Sequence, residues 1–461
     1  MNGPAWIPNA VVYQIFPERF ANGDPTNDPP DVANWETDAP TRENFFGGDL
    51  AGICQKIPYL RDLGVDALYL TPIFDAQTNH KYDASDYLKL DPAFGTLDTF
   101  RQLVAALHES GLRLVLDAVF NHCGDGFWAF KDVVANGAAS PYIDWFTVDS
   151  YPITFDPPSY QTCGGAPFLP KLNVDNPEVR AYLLGVAEHW LDEGIDGWRL
   201  DVPWKVTGSF WPEFRARVEA KNPDAYTVAE TWRGTAEWLR GDRVHGVMNY
   251  RLRQYILDYA VSDHMDAEDF DYELRQLREE HGESAAYHLT LLGSHDTARI
   301  RTVCKGDIGR LKIAIALQMT YLGVPMVYYG DEIGMEGEND PDCRRPMIWD
   351  KSRWDRDIYD LTRKLIALRH AHPALRTGDF QTLRCFNGVY AYARTQDEDR
   401  VVVVLNPRYA LTRLVVPLGE LAVSTRWVDT VSGREYETVD GQLVLEPLTA
   451  KSAHVFIPVE A

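Results

Sequence analysis

Short apolar runs alternate with helix-like patterns over most of the chain. The first run covers 11–16, and further runs that predict strands lie at 66–71, 112–117, 196–201, 226–230, 246–249, 289–294 and 324–329. Stretches with apolar residues at helical spacing, such as 97–109 and 177–192, separate most of them. Eight strands that alternate with helices predict a parallel (β/α)₈ TIM barrel. A doubly wound sheet is the alternative, but no G-x-G-x-x-G follows a strand.

Two segments depart from this alternation. The stretch between Asp117 and Pro177 is rich in Gly, Pro, Tyr and Phe and is too long for a plain loop, which predicts a small inserted domain. After about residue 377 the pattern changes to short alternating strands, which predict an antiparallel β-sandwich. The predicted domains are the first part of the barrel at 1–121, the inserted domain at 122–173, the second part of the barrel at 174–377 and a C-terminal β-sandwich domain at 378–461.

Charge and composition narrow the function classes. The chain has 68 acidic against 45 basic residues and a formal net charge of −23, which argues against nucleic acid or an anionic membrane as a partner. No apolar run approaches the ~20 residues that span a bilayer, and the N-terminus lacks the features of a secretory signal. The six cysteines are scattered without a C-x-x-C pair, which favours free thiols over a disulfide framework or a zinc site. We therefore expect a cytoplasmic protein.

Acidic residues stand where the predicted strands end, at the edge where barrel enzymes carry their reactive groups. These acids are Asp117, Asp201, Glu230 and, just past the seventh strand, Asp296. Arg199 precedes Asp201 by two residues, so strand alternation places both on one face, and His122 and His295 flank the same edge. A buried salt-bridge network is the structural alternative.

Two carboxylates across a site suit glycoside hydrolysis, with one as nucleophile and one as proton donor. A metal-dependent hydrolase would use a similar ring of acids. The strand ends carry few histidines for that purpose, and neither H-x-H nor H-E-x-x-H occurs.

Four motifs at these strand ends resemble the four signature regions of the α-amylase family of glycoside hydrolases, in the family's order. They are Asp117–His122, Gly197–Asp201, Ala229–Trp232 and Leu292–Thr297. Phe168–Asn173 is similar to a fifth region in the family's cyclomaltodextrinase, neopullulanase and maltogenic amylase branch. Further matches lie at 13–20, 79–83 and 328–332, so the resemblance extends from about residue 6 to the end.

The resemblance implies a role for each matching residue. Asp201 would be the nucleophile, Glu230 the general acid, and Asp296 a clamp on sugar hydroxyls. It also implies that Asp201 is ionised beside Arg199, while Glu230 stays protonated in a less cationic setting. The residues expected to orient these acids or to bind sugar are His80, Tyr82, Asp117, His122, Arg199, Trp232 and His295.

Two secondary sites follow from the same resemblance. The loop from Asn22 to Asp28 looks like a calcium loop of this branch, with ligands expected from Asn22, Asp24, Asn27, Asp28, Gly47 and Asp49; without the resemblance, these are ordinary turn residues. Asp340 and Arg344 resemble a pair that contacts the distal sugar on the non-reducing side, and their alternative is an exposed ion pair.

The chain also departs from the family pattern in two places. Enzymes of this branch usually carry a β-sandwich before the barrel, whereas the first barrel strand here starts near residue 11. We therefore expect a monomer, or a homo-oligomer that does not involve such a domain. After Asp201 the usual Val-Ala-Asn-Glu is replaced by Val202-Pro203-Trp204-Lys205. We expect Trp204 and Lys205 to contact the acceptor sugar; the alternative is that Trp204 packs under the rim and Lys205 points to solvent.

The sequence thus predicts a retaining α-glucan hydrolase that cleaves α-1,4 bonds, with α-1,6 bonds as a further option. Maltooligosaccharides, cyclodextrins or pullulan are the expected substrates, with some transfer to sugar acceptors. An exo-acting α-glucosidase or oligo-1,6-glucosidase is the nearest alternative, against which Lys171 argues because that group more often has Asp there. A non-catalytic carbohydrate-binding protein on the same scaffold is the more distant one.

Overall fold

A computed structural model describes residues 3–459, and it contains the predicted closed parallel barrel of eight strands. The barrel order is β1-β10-β9-β8-β7-β6-β5-β2. The remaining early strands, β3 and β4, form a separate hairpin that the sequence pattern did not predict. The strands up to β10 are β1 (Val12–Ile15), β2 (Ala67–Leu70), β3 (Phe74–Ala76), β4 (Ala84–Leu90), β5 (Arg113–Ala118), β6 (Gly197–Leu200), β7 (Tyr226–Thr231), β8 (Gly246–Asn249), β9 (Leu289–Leu291) and β10 (Val324–Tyr328).

Thirteen α-helices accompany these strands within the described residues. They are α1 (Pro17–Phe20), α2 (Leu50–Gln55), α3 (Ile57–Leu63), α4 (Leu97–Glu109), α5 (Trp128–Asn136), α6 (Pro177–Asp192), α7 (Phe210–Lys221), α8 (Tyr250–Ala260), α9 (Ala267–His281), α10 (Ile300–Val303), α11 (Ile308–Thr320), α12 (Arg356–Ala371) and α13 (Pro373–Thr377). No helix within residues 3–459 is long and apolar enough to cross a membrane.

The chain divides into two compact units. The first is built mainly on residues 12–248 with 344–347, and the second on 6–11, 249–343 and the residues from 348 onward. The three domain boundaries expected from the sequence follow a different division and stay a prediction.

The core of the first unit is formed by barrel strands whose residues are all buried and by helices that cover them with aromatic side chains. Trp190 on α6 packs against Phe100 on α4 and Phe74 on β3, with ring centroids 5.0 and 5.3 Å apart. Its indole N–H donates to the main-chain oxygen of Tyr87 at 2.8 Å. The inserted segment contains α5 and short 3₁₀ turns, and isolated bridges join it to the barrel edge, as between His122 and Lys171.

The second unit ends in an antiparallel sheet of eight strands, which confirms the predicted C-terminal β domain. Its order is β11-β12-β13-β18-β15-β16-β17-β14, and it encloses an apolar core around Trp427 and Phe456. The strands are β11 (Asp379–Phe386), β12 (Val389–Gln396), β13 (Asp399–Asn406), β14 (Leu414–Pro417), β15 (Arg426–Asp429), β16 (Glu435–Val439), β17 (Gln442–Leu445) and β18 (Ser452–Pro458).

Helix α6 begins as its sequence predicts, and this start can be tested. The Asn176 side chain accepts from the main-chain N–H groups of Glu178 and Val179, and Pro177 occupies the first turn. Because an N-cap satisfies donors that the helix leaves free, Asn176→Ala should lower the free energy of unfolding by about 1 kcal/mol. Asn176→Asp keeps the acceptor and should stay near wild type in urea unfolding. Equal losses in both variants would contradict the capping role.

Candidate active site

Three carboxylates converge at the carboxyl ends of β5, β6 and β7, all within the first unit. The register pairs Asp117 with Arg199, and Leu200 with Ala229. Asp201 and Glu230 each follow this last pair by one residue, so they come next to each other at the same barrel edge. Strand alternation turns Arg199 and Asp201 to one face, as the sequence predicted.

Arg199 binds all three carboxylates from a fully buried position. Its Nη1 donates to both oxygens of Asp117 and to Oδ1 of Asp201, each at 2.9 Å. Its Nη2 donates to Oε2 of Glu230 at 2.8 Å. A single guanidinium thus fixes the positions of three acids that come from three strands.

Asp117 has a full set of hydrogen bonds. Tyr69 and Tyr82 donate their hydroxyls to its Oδ2 at 2.6 and 2.8 Å, in addition to the donation from Arg199. Tyr82 was expected to orient the acids or to bind sugar, and the structure places its hydroxyl on Asp117. Tyr69 was missed by the sequence analysis. The available signal was its place one residue before the end of β2, but strand alternation alone does not reveal a bond to another strand.

Glu230 is held by three donors, which differs from the less cationic setting expected for it. Oε2 accepts from Arg199 and from the main-chain N–H of Val202 at 3.0 Å, while Oε1 accepts from Trp232 Nε1 at 2.7 Å. Val202 reaches this position in a left-handed conformation, with φ 33° and ψ 49°. A β-branched residue rarely adopts a positive φ, and such strain is typical of functional sites. The expectation of a less cationic setting for Glu230 is therefore wrong, because Arg199 binds Glu230 as well as Asp201.

Three buried carboxylates in this cluster face one guanidinium. Burial, together with the charges of Glu230 and Asp117, raises the pKa of Asp201 well above its ordinary value, against the opposing charge of Arg199. Burial also raises the pKa of Asp117, again opposed by Arg199. One guanidinium offsets one carboxylate charge in a buried site, so the cluster is expected to hold a proton at neutral pH.

Two histidines of the first unit were expected to bind sugar, and the structure leaves His80 half-buried and His122 buried. His80 Nδ1 accepts the main-chain N–H of Tyr82 at 3.0 Å, which assigns the proton of the neutral ring to Nε2. His122 Nδ1 lies 3.2 Å from the side-chain amide of Asn121, and its buried Nε2 has no hydrogen-bond partner in the described chain. Burial lowers the pKa of His80 to about 3 and that of His122 to about 4. Both rings are therefore neutral, and His122 keeps a free buried donor for a ligand oxygen.

The other predicted residues lie around this cluster or in the second unit. Arg344, in the first unit, stacks on the ring of Phe16 at 5.4 Å, and its charge contributes to the low pKa of His80. His295 and Asp296 follow β9 in the second unit, where His295 Nε2 lies 3.3 Å from Asp296 Oδ2. Asp340 also belongs to the second unit.

Trp204 and Lys205 lie in a short 3₁₀ turn after Asp201, and both side chains are exposed. The Trp204 side chain is 43% exposed, so it does not pack under the rim. Trp232 is 40% exposed although its indole N–H is bound to Glu230. Two exposed indoles that follow Asp201 and Glu230 in the chain thus offer flat apolar faces to a ligand.

The predicted calcium loop brings together oxygen atoms that lack donors. The Oδ1 atoms of Asn22 and Asn27 are buried without a hydrogen-bond partner among the described residues. Gly47, at φ 79°, leaves space that a Cβ would take from Asp28 and Asn22. The carboxylate of Asp49 accepts from the main-chain N–H groups of residues 23, 24 and 52.

Burial and the charges of Asp49 and Asp24 raise the pKa of Asp28, although its bond from Asn22 opposes the rise, so the loop is short of positive charge. Within residues 3–459 no three His, Cys, Asp or Glu side chains are grouped to hold a metal. A cation here would therefore depend on Asn and main-chain oxygens as well as on the carboxylates.

Comparisons with known proteins show what the chain is similar to. Residues 14–378 match the family model described as the alpha amylase catalytic domain. The chain is 46% identical to neopullulanase 2 of Thermoactinomyces vulgaris, over 96% of this chain and 76% of the relative. It is 47% identical to a cyclomaltodextrinase of a Bacillus species, over 87% of this chain and 73% of the relative.

Among solved structures, the cyclic α-maltosyl-(1→6)-maltose hydrolase of Arthrobacter globiformis, in complex with cyclic α-maltosyl-(1→6)-maltose, is similar with a TM-score of 0.91. Sequence identity to it is 43%, and the match covers 99% of this chain and 100% of that one.

The buried neutral ring of His122 predicts a loss of stability in acid. The unfolded chain takes up protons on histidine near pH 6.5, whereas folded His122 does so only near pH 4. The free energy of unfolding should therefore fall as pH drops from 6.5 to 4. Urea unfolding of His122→Gln across that range should show a shallower fall, whatever its stability at pH 7.

His264→Gln, which replaces a histidine whose side chain is 77% exposed, is the matched control and is unfolded over the same pH range. A slope in His122→Gln as steep as that of wild type would contradict the assignment of a neutral buried ring.

Proposed function

Because the chain belongs to the α-amylase family of glycoside hydrolases, we propose that it cleaves α-glucosidic bonds with retention, using Asp201 as nucleophile and Glu230 as general acid and base. The observation that carries this proposal is the buried Arg199, which binds Asp117, Asp201 and Glu230 at once. It brings a pair of acids to one barrel edge with a single compensating charge.

The two carboxylates divide the chemistry. Asp201 attacks the anomeric carbon while Glu230 gives its proton to the departing glycosidic oxygen, which leaves a glycosyl ester on Asp201. Glu230, now ionised, then removes a proton from water, and the resulting attack on the anomeric carbon releases Asp201. Arg199 stabilises whichever carboxylate is ionised at each step, and Asp117, held by Tyr69 and Tyr82, keeps Arg199 in place.

The resting contacts of Glu230 imply a rearrangement on binding. Both of its oxygens accept hydrogen bonds, so neither presents a proton to a ligand in this arrangement. The exposed Trp232 is the contact that a sugar can displace, because its indole face is open to solvent. We infer that binding on this side frees Oε1 for proton transfer.

Sugar hydroxyls would be held by groups that the protein leaves available. The free Nε2 of His122 would donate to the reacting sugar, beside His80. His295 and Asp296 would bind further hydroxyls, and Asp340 with Arg344 would contact a distal unit, as the family pattern implies. Trp204 would support the acceptor sugar by stacking, next to Lys205.

Short or cyclic glucans that contain both α-1,4 and α-1,6 bonds are the proposed substrates. The support is the match to the Arthrobacter globiformis hydrolase along the whole of both chains, together with the neopullulanase and cyclomaltodextrinase relatives. An exo-acting α-glucosidase remains the second candidate, and the exposed Trp204 favours the first because it extends the site beyond one sugar on the acceptor side. Transfer to sugar acceptors accompanies hydrolysis in this proposal.

We further propose that the loop at 22–28 binds a calcium ion that stabilises the fold. The side-chain oxygens of Asn22, Asn27, Asp24, Asp28 and Asp49, with the main chain of Gly47, would hold it, and the two asparagine oxygens without partners support this assignment. The ion would offset the charge of the crowded carboxylates and would take no part in bond cleavage.

The six free cysteines of the described chain and the intracellular maltogenic amylase of Bacillus subtilis, 42% identical, support a cytoplasmic location as a proposal. A monomer and a homo-oligomer both stay part of the proposal.

Product analysis tests the proposed activity. The protein should cleave cyclic α-maltosyl-(1→6)-maltose, β-cyclodextrin and pullulan, and proton NMR should show the α-anomer as the first product, since a retaining pair acts with two inversions. Asp201→Asn is the control and should lose several orders of magnitude in kcat because the nucleophile is gone. An initial β-anomer would refute retention, and glucose as the only product from every substrate would favour the α-glucosidase.

Calcium removal tests the loop. Addition of a strong chelator should lower the Tm, because a ligand that binds only the folded state stabilises it by mass action. Asp24→Ala should have a Tm that the chelator no longer changes. Asp98→Ala, an exposed acid on α4, is the matched control and should respond like wild type. If the chelator leaves the wild-type Tm unchanged and elemental analysis finds no metal, residues 22–28 form an ordinary turn that binds no calcium.

A further inference from the structure

Side chains of helix α8 contact the loop that follows β9 and contains Asp296. The main-chain oxygen of Leu292, the first residue after β9, accepts a hydrogen bond from Arg253 Nε at 2.7 Å. The Tyr250 hydroxyl lies 3.0 Å from Ser294 Oγ. Tyr250 and Arg253 are three residues apart, so they share one face of the helix. One face of α8 therefore holds the loop at two points, and all of these residues belong to the second unit.

Ser294 links the helix to Asp296. Its side chain is fully buried, and its Oγ accepts the main-chain N–H of Asp296 at 3.2 Å. Among the described residues, the only other hydrogen-bond partner of this hydroxyl is that of Tyr250. A serine hydroxyl has one proton, and a buried proton without an acceptor costs free energy, so we assign this proton to the Tyr250 oxygen. Tyr250 thus supports the hydroxyl that in turn supports the main chain of Asp296.

Two further hydrogen bonds hold the main chain around Asp296. Cys343 Sγ donates to the main-chain oxygen of His295 at 3.3 Å. Thr297 Oγ1 accepts the main-chain N–H of Ser294 at 3.1 Å. Both of these side chains are buried. The residues on either side of Asp296 are therefore hydrogen-bonded, and these bonds set the position of its main chain.

The Asp296 carboxylate is less enclosed than the loop that carries it. Its side chain is 31% exposed, whereas that of the neighbouring His295 is 1% exposed. The direction of a partly exposed side chain depends on the position of its main chain. A group that binds a reacting sugar must be held within about 0.5 Å of its working position, and a displacement of about 1 Å can cost about 100-fold in rate.

We propose that Tyr250 and Ser294 are positioning residues that hold Asp296 for its contact with the sugar. The proposal rests on the proposed function, in which Asp296 binds sugar hydroxyls. Both hydroxyl groups act through the main chain of Asp296. Their loss should therefore reduce activity only in a protein that still has the Asp296 carboxylate.

A double-mutant cycle with Asp296→Asn tests whether Tyr250 acts through this carboxylate. Tyr250→Phe keeps the ring but removes the acceptor for the buried proton of Ser294. In the wild-type background it should lower kcat/KM for α-maltosyl fluoride about tenfold. In the Asp296→Asn background it should lower kcat/KM by no more than about twofold, because the carboxylate that it displaces is already absent. The fluoride is a good leaving group, which keeps the turnover of weak variants measurable.

A second variant and a matched control accompany this cycle. Ser294→Ala removes the acceptor of the Asp296 N–H and should show the same dependence on Asp296, so either variant that folds is sufficient. Tyr255→Phe removes another hydroxyl of α8, 3.5 Å from Arg251, and should keep the wild-type kcat/KM. The Tm of every variant is measured, and the assays are run well below the lowest value.

The remaining outcomes separate the positioning role from the proposed function. Equal losses in both backgrounds would overturn the positioning role, because a loss that does not depend on Asp296 is a general structural effect. An unchanged kcat/KM in Tyr250→Phe and Ser294→Ala would overturn it as well.

If wild type cleaves neither the fluoride nor a glucan, the hydrolase function fails, and the cycle is repeated with maltotriose binding measured by calorimetry. Weaker binding in Tyr250→Phe only when Asp296 is present would then support the positioning role alone. Binding that Tyr250→Phe leaves unchanged, or no binding at all, would overturn both.

Discussion

The site depends on one buried guanidinium. Arg199 binds carboxylates from β5, β6 and β7, and without it three acids at one barrel edge would face each other with little access to water. Burial of an unpaired charge costs several kcal/mol, so removal of the arginine would force the acids to bind protons or move apart. The ion pairs with Arg199 offset the cost of burying these acids, and they also bring the proposed nucleophile Asp201 next to the proposed proton donor Glu230. The same interaction therefore contributes to stability and to the proposed chemistry.

Much of the fold was predictable because it depends on local patterns. The eight barrel strands, helix α6 with its Asn176 cap and the C-terminal β domain follow from periodicity and capping residues. The β3–β4 hairpin was not predicted, because the sequence between the second and third predicted barrel strands was interpreted as a connecting segment. Order along the chain and strand alternation also sufficed to place Asp117, Arg199, Asp201 and Glu230 at one edge.

What the sequence could not supply were contacts between strands and details of the main chain. Tyr69 on β2 reaches Asp117 on the neighbouring β5, and residue type alone does not distinguish it from a core tyrosine. The setting of Glu230 was expected to be less cationic, but Arg199 has a second nitrogen, and the register places it within reach. Whether Trp204 packs or lies exposed depends on the path of the turn after Asp201, which periodicity does not determine.

The left-handed conformation of Val202 determines which mutations in the turn after Asp201 would disturb Glu230. Its contribution to Glu230 comes from a main-chain N–H, so replacement of the side chain leaves the donor in place. Side-chain scanning would therefore classify the position as neutral or even as stabilised by glycine, which adopts a positive φ without cost. The hydrogen bond from Val202 to Glu230 depends instead on the length and path of the turn. An insertion or deletion between Asp201 and Trp204 would redirect the donor, so this short segment is expected to vary in residue type across relatives while its length stays fixed.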